Sequence, residues 1–276
     1  MIELPEALSR AKELDYYLKG KKIAKVLLPT SPHKFCWFQG DVAHYPIQLE
    51  GHTINGARGF GIFVEIECDQ GVYLCVNDGV NITLLTSCDD IPQKYQLAIL
   101  FEDQTSLIFQ VAMYGSIICH HGDYENEYYL KSLEKISPIS NQFTYSYFMS
   151  VLENVKPTIS VKAFLATEQR FPGIGNGVLQ DILWQAFIHP KRKVNLLTEK
   201  ECLCLFETIK SVLYEMIEKG GRDTEKNIFG NYGGYQTRLS KKTLHQPCPR
   251  CQTLIEKTNY LGGAIYYCTH CQKENI

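Results

Sequence analysis

The segments "CPRC" and "CTHC" near the end of the chain place Cys248, Cys251, Cys268 and Cys271 in a C-x2-C-x16-C-x2-C array, and no other feature restricts the fold as tightly. Two thiolates two residues apart grip one ion from a single turn. The spacer then runs out and back as a hairpin that brings the second pair to the same ion. Four sulfurs favour zinc before a mononuclear iron. With every coordination position filled, the zinc holds structure and activates no water. Two disulfides or a redox pair is the competing reading. His270 sits inside the second knuckle as a bystander. The other seven cysteines show no ligand spacing and read mostly as small buried apolar residues.

A chain of 276 residues with 45% hydrophobic content is long enough for two domains with cores of their own. It has no apolar run of the ~18–20 residues that a membrane span needs. The first residues carry charge throughout and lack a signal-peptide core. With eleven cysteines and no export signal, the expectation is a cytoplasmic monomer without a membrane partner. Residues 1–150 hold 11 Lys and Arg against 18 Asp and Glu, whereas residues 151–276 hold 17 against 12. A polyanion is therefore drawn mainly to the second half.

Leu8, Ala11, Leu14 and Leu18 recur at helical spacing, and Pro5 suits a first helical turn, so residues 5–18 read as a helix. Short apolar runs follow from about 22 to 120, among them "IAKVLL", "VYLCV" and "YQLAILF", as in a β-sandwich or barrel. Residues 120–129 read as a connection and 136–144 as a boundary, after which helical patterns extend to Gly220 and Gly221. The expected fold class is α+β: an N-terminal β-sandwich over 1–130, a helical domain over 131–221, and a basic surface loop with the zinc finger over 222–276. The aromatics of "SPHKFCWFQGD" (31–41) read as core, with a base-stacking patch as the alternative.

"FPGIGNGVLQDILWQAFIHPKRK" (171–193) sets Gly173, Gly175 and Gly177 before an amphipathic helix. Backbone N–H groups at such a turn, with the positive end of the helix dipole, suit a phosphate, and Asn176 can add a side-chain donor. Arg238 and Lys241 lie in a loop that reads as contacting a nucleic-acid backbone.

This "GIGN"-helix-"HP" pattern resembles the helix-two-turn-helix element of the Fpg/Nei family of DNA glycosylases. The opening "IELPE" resembles that family's N-terminus, and the cysteine array its zinc finger. The three occur in the family's order across essentially the whole chain. The resemblance implies DNA gripped between sandwich and helical domain, with damaged, distorted or single-stranded DNA as partner and, in a prokaryote, a nucleoid setting. Glu3 matches the family's general acid/base and Glu6 the second acid of the motif. Lys162 and Asn176 match backbone-contacting residues. Ile2 replaces the proline whose amine attacks C1′, and Phe60 falls at the position of a hairpin lysine. Gly79, Ala112 and Tyr114 fall where three side chains fill the gap left by a flipped base, and Gly263 replaces a zinc-finger arginine.

The expectation is a DNA-binding base-excision-repair protein that hydrolyses the glycosidic bond through Glu3, or a non-catalytic binder of damaged DNA. Methionine aminopeptidases act before small second residues, so Met1 stays and the terminal amine moves out by roughly 3.3–3.6 Å. Amine attack depends on near-attack distances and is weakened by a shift of that size. Met1 remains as a weak lyase nucleophile. Intact-mass measurement should find Met1 in place; a chain that starts at Ile2 would restore an amine to residue 2.

Overall fold

The computed structural model describes residues 1–274. Helix α1 (Leu4–Leu18) is followed by nine strands. These are β1 (Ile23–Leu27), β2 (Cys36–Phe38), β3 (Ile54–Phe60), β4 (Phe63–Cys68), β5 (Tyr73–Asn77), β6 (Val80–Leu85), β7 (Leu97–Phe101), β8 (Ser106–Val111) and β9 (Gly115–His120), with the short helix α2 (Tyr45–Leu49) between β2 and β3. They form a four-stranded sheet in the order β1-β7-β8-β6 and a five-stranded sheet in the order β2-β9-β5-β4-β3. Alternating side chains of both sheets, such as Ile99, Phe109, Val64 and Val76, meet in one core. The β-sandwich expectation holds, and the resulting fold is α+β.

Helix α1 belongs to two cores at once. Its residues Ala7, Ala11, Leu14 and Leu18 pack into the sandwich, while Leu4 packs into the core of the helices that follow. Those helices are α3 (Glu127–Glu134), α4 (Tyr145–Glu153), α5 (Val161–Ala166), α6 (Val178–Gln185) and α7 (Glu199–Glu218). Side-chain caps mark their starts: Thr144 for α4, Ser160 for α5, and a Thr198–Glu201 capping box for α7. The chain closes in the hairpin β10 (Glu256–Tyr260) and β11 (Gly263–Tyr267) between the two cysteine pairs. No helix among the described residues is long and apolar enough to cross a membrane.

Three expectations need correction. The segment 222–247 is irregular, yet it does not simply loop over the surface. Arg222, Ile228, Tyr235 and Leu239 are buried, and hydrogen bonds from its backbone to helix termini and carboxylates replace those of regular structure. The aromatic stretch 31–41 divides instead of forming core. Phe38 packs on the sandwich core, while Phe35 and Trp37 are 46% and 51% exposed. Strand alternation sends them to the opposite side. In the stretch read as a connection, helix α3 already begins at Glu127, with Asn126 accepting from the Tyr128 and Tyr129 amides.

Candidate active site

Glu3 stands at the N-cap of α1, and its own N–H donates to the Glu6 carboxylate at 3.2 Å. Its carboxylate also serves a second helix. It reaches the start of α6, where Oε1 accepts the Gly177 N–H and Oε2 the Val178 N–H, each at 2.7 Å. The positive end of that helix therefore already holds an anion, one supplied from within the chain. The approach is close enough to require glycine. A Cβ at Gly175 would lie 2.7 Å from Glu3 Oε1, and one at Gly177 would collide with the Arg222 guanidinium. Among the described residues the N–H groups of Gly175 and Asn176 have no backbone acceptor, so part of the turn stays open to an outside ligand.

Arg222, just beyond α7, completes the cluster. Its Nε and Nη2 donate to the two oxygens of Glu6 at 3.0 and 2.7 Å, its Nη2 also reaches the Met1 carbonyl, and Nη1 lies 3.6 Å from Glu3. All three charged side chains are buried. Burial alone would raise the Glu6 carboxyl, but the bidentate guanidinium more than offsets it and holds Glu6 below the usual carboxylate range. For Glu3, burial prevails over the more distant guanidinium and the two amides, and its carboxyl is raised. Arg222 between two acids stays charged.

The start of the chain is equally constrained. Ile2 is buried in the sandwich core, and its N–H donates to the Asp78 carbonyl at 2.5 Å. The Met1 ammonium pairs with Glu225. Burial pushes the Asp78 carboxyl up to about 6, with Met1's ammonium opposing and Glu3 adding to the rise. Met1, Glu3 and Asn176 form the partition between two clefts. One, of about 360 Å³, also takes in Gln180, Lys241 and Met113. The other, of about 410 Å³, takes in Asp78, Tyr114 and Gly175.

Lys162 and Asn176 both face the terminal hairpin. Lys162 Nζ donates to the Tyr260 carbonyl at 2.5 Å, and Asn176 Nδ2 to that of Ala264 at 2.7 Å, leaving Asn176 Oδ1 buried without a partner. Arg238 and Lys241 are exposed on the loop above α6. That loop is fixed by Asp181, which accepts the Arg238 and Leu239 N–H groups at 2.9 and 2.8 Å. Burial takes its carboxyl up to about 6. Phe60 turns away from the clefts and packs on Phe63 and Tyr129. The small residues of the paired loops lie together, Gly79 N–H donating to the Tyr114 carbonyl and Ala112 N–H to that of Gly79, each at 3.0 Å.

The four cysteines converge as their spacing requires, with all sulfurs within 4.8 Å of one another and close pairs at 3.4–3.8 Å. A tetrahedral ion with metal–sulfur bonds of about 2.3 Å calls for separations of roughly 3.8 Å. The sulfurs fit a four-coordinate metal.

A sandwich and a helical body joined through an N-terminal acid, with a four-cysteine hairpin laid against the joining helix, define the architecture of a glycosylase of the helix-two-turn-helix class. Residues 136–227 match the formamidopyrimidine-DNA glycosylase H2TH domain. Over the full length of both chains, the sequence is 31% identical to the formamidopyrimidine-DNA glycosylase of Streptococcus pneumoniae serotype 4. That of Listeria innocua is 28% identical over 99% of this chain and 100% of its own. Lactococcus lactis Fpg, solved in complex with abasic-site DNA, superposes with a TM-score of 0.85 at 25% identity, covering 99% of this chain and 100% of that one. Its complex with Fapy-dG DNA gives 0.84, with the same identity and coverage. The chain belongs to the Fpg/Nei family of DNA glycosylases.

The sequence reading missed Arg222, Glu225, Asp78 and Asp181. The only local signal was the odd density of charge after Gly221, and charge density does not name a partner more than 200 residues away. Replacing Arg222 with Met leaves two buried acids facing each other. It should cost about 3–5 kcal/mol in urea unfolding, much of it recovered when Glu6→Gln is added.

Proposed function

We propose that this protein binds DNA in the clefts between sandwich and helical body and releases a damaged base by hydrolysis through Glu3, without the amine attack of its family. The observation that carries the reading is the place of Glu3. Glu3 lines both clefts on a rigid seat of two amide donors, and its raised pKa makes it a stronger proton acceptor than an ordinary glutamate. Each oxygen accepts one N–H from the start of α6. In the step, Glu3 takes a proton from water as the water oxygen bonds to C1′. The C1′–N bond breaks and the base leaves with its electron pair, to be protonated by solvent. At residue 2 the nitrogen is an amide bonded to the Asp78 carbonyl and has no nucleophilic pair. The only terminal amine is Met1's, and it is engaged by Glu225.

For the DNA backbone we assign the open amides of Gly175 and Asn176, together with Lys162, Arg238 and Lys241. Phosphate oxygens offer the same acceptor chemistry as the hairpin carbonyls that Lys162 and Asn176 now hold. The solved relatives are complexes with abasic-site and Fapy-dG DNA, which supports DNA as the ligand. We assign the four-cysteine cluster to a single zinc, whose contribution is to fold the hairpin. Glu6 lines neither cleft and acts as a clasp on Arg222. A second reading is a damaged-DNA-binding protein without chemistry. It is favoured by the same bonds that seat Glu3, since they also suffice for a purely structural role.

Base release from a panel of damaged oligonucleotides, developed with hot alkali, tests the chemistry. Wild type should leave alkali-sensitive sites without cleaving the strand itself, and Glu3→Gln should lower the rate by about 10²–10⁴-fold. Because Glu3 must be ionised to act as base, the rate should rise with pH to a midpoint above the usual glutamate range. Release that is unaffected in the variant removes Glu3 from the mechanism. Metal analysis should return one zinc per chain, and stripping it should lower the unfolding midpoint; a protein that is folded and equally stable without metal contradicts the assignment.

A further inference from the structure

The exposed aromatics of β2 have no role in the chemistry above. Strand β2 is the edge of the five-stranded sheet and pairs in parallel with β9, Trp37 opposite Ser116. Phe35 accepts the Gly115 N–H through its carbonyl at 3.0 Å. Phe35 and Trp37 stand on the outer face with ring centroids 6.4 Å apart. The next turn adds Met113 and Tyr114, 63% and 37% exposed. Tyr114 reaches the Met1 sulfur at 3.4 Å and so continues this surface to the partition between the clefts. Four large exposed apolar side chains on two neighbouring segments mark a contact surface.

Charge indicates what it contacts. Residues 1–150 carry seven more acidic than basic groups, yet residues 31–40 and 111–117 contain no Asp or Glu. Lys34 lies over the Phe35 ring, 5.3 Å from its centroid. The nearest carboxylates, Asp78 and Glu3, lie at the Tyr114 end, and an aromatic face with a cation at its Phe35 rim suits a polyanion that carries flat rings. The adjoining loops point to the state of that polyanion. Gly79 and Ala112 bring no bulk there, which leaves Tyr114 as the one large side chain of the three positions to drive between stacked base pairs, so opening a duplex would be compensated only in part.

We propose that Phe35 and Trp37, continued by Met113 and Tyr114, form a stacking platform for unpaired bases, and that the preferred substrate is single-stranded or locally unpaired DNA. This deepens the DNA-binding reading and rests on it. Bases beside the lesion lie on the rings, Lys34 takes an adjacent phosphate, and the strand continues past Tyr114 to Glu3.

The chain has two tryptophans, and Trp184 is buried under the Arg250 guanidinium, so Trp37 is the one that meets an added ligand. Fluorescence-anisotropy titration with labelled oligothymidylate and with a hairpin duplex, at fixed salt, is run beside tryptophan emission. Oligothymidylate should bind more tightly than the duplex and quench the emission. Trp37→Ala should weaken single-strand binding by roughly 5- to 150-fold and duplex binding far less, while Trp37→Phe should keep the affinity and lose the quench. Because Trp37 is half-exposed, both variants should melt as wild type does. Single-strand binding without quenching, or an unchanged affinity in Trp37→Ala, overturns the platform and leaves DNA binding standing. Failure of wild type to bind either DNA at low salt overturns the DNA-binding reading, and the platform with it.

Discussion

The structure depends on the seating of one carboxylate, that of Glu3, on the first two amides of helix α6. A carboxyl this deep needs donors, and they come from the second half of the chain. Gly177 and Val178 lie more than 170 residues away, and Arg222 more than 200. Within the same first residues, Ile2 enters the sandwich core, Leu4 enters the helical core, and Glu6 holds Arg222 in a bidentate pair. Six residues thus join the sandwich, the helices and the loop after α7. A change at residue 2 therefore acts on packing as much as on chemistry: the isoleucine fills core space and its nitrogen becomes an amide donor.

Helix α6 organises the rest of the site. Its N-terminus binds Glu3, and Asp181 in its first turn holds the loop of Arg238 and Leu239. Gln180 accepts the Tyr266 N–H and donates to the Ala264 carbonyl, so the same turn positions the hairpin. At the far end, the Trp184 carbonyl accepts from Arg250, and that guanidinium lies 3.8 Å from the Trp184 ring. The four cysteines gather at the base of the hairpin, and side chains of α6 and its preceding turn aim it. The two clefts are shaped by how one short helix divides its polar groups among three neighbours.

Much of this was legible in advance where the signal is local. Cysteines two residues apart lie on one turn whatever surrounds them, and the sulfurs do converge. The periodicity of Leu8, Ala11, Leu14 and Leu18 locates α1, and helical patterns after residue 144 anticipate the later helices, whose caps Thr144, Ser160 and Thr198 the structure identifies. Short strands were harder. The segment "INGARGF" of β3 has two glycines, an arginine and no strict alternation, and it becomes a strand because α1 and β4 lie against it. The segment 222–247 carries no periodicity, and its burial rests on side chains from distant elements.

By itself the sequence determined the metal-binding hairpin, the helical body and the sandwich, because cysteine spacing, capping and apolar alternation act over a few residues. It also placed an acid at residue 3 and withheld a proline at residue 2. Only the tertiary structure decided that Glu3 anchors a distant helix, that Glu6 is closed off by Arg222, that Met1 is engaged by Glu225, and that Phe35 and Trp37 face outward. Each depends on which buried charge finds a partner of opposite sign, or on which face of an edge strand remains uncovered. Those outcomes are set when remote segments meet.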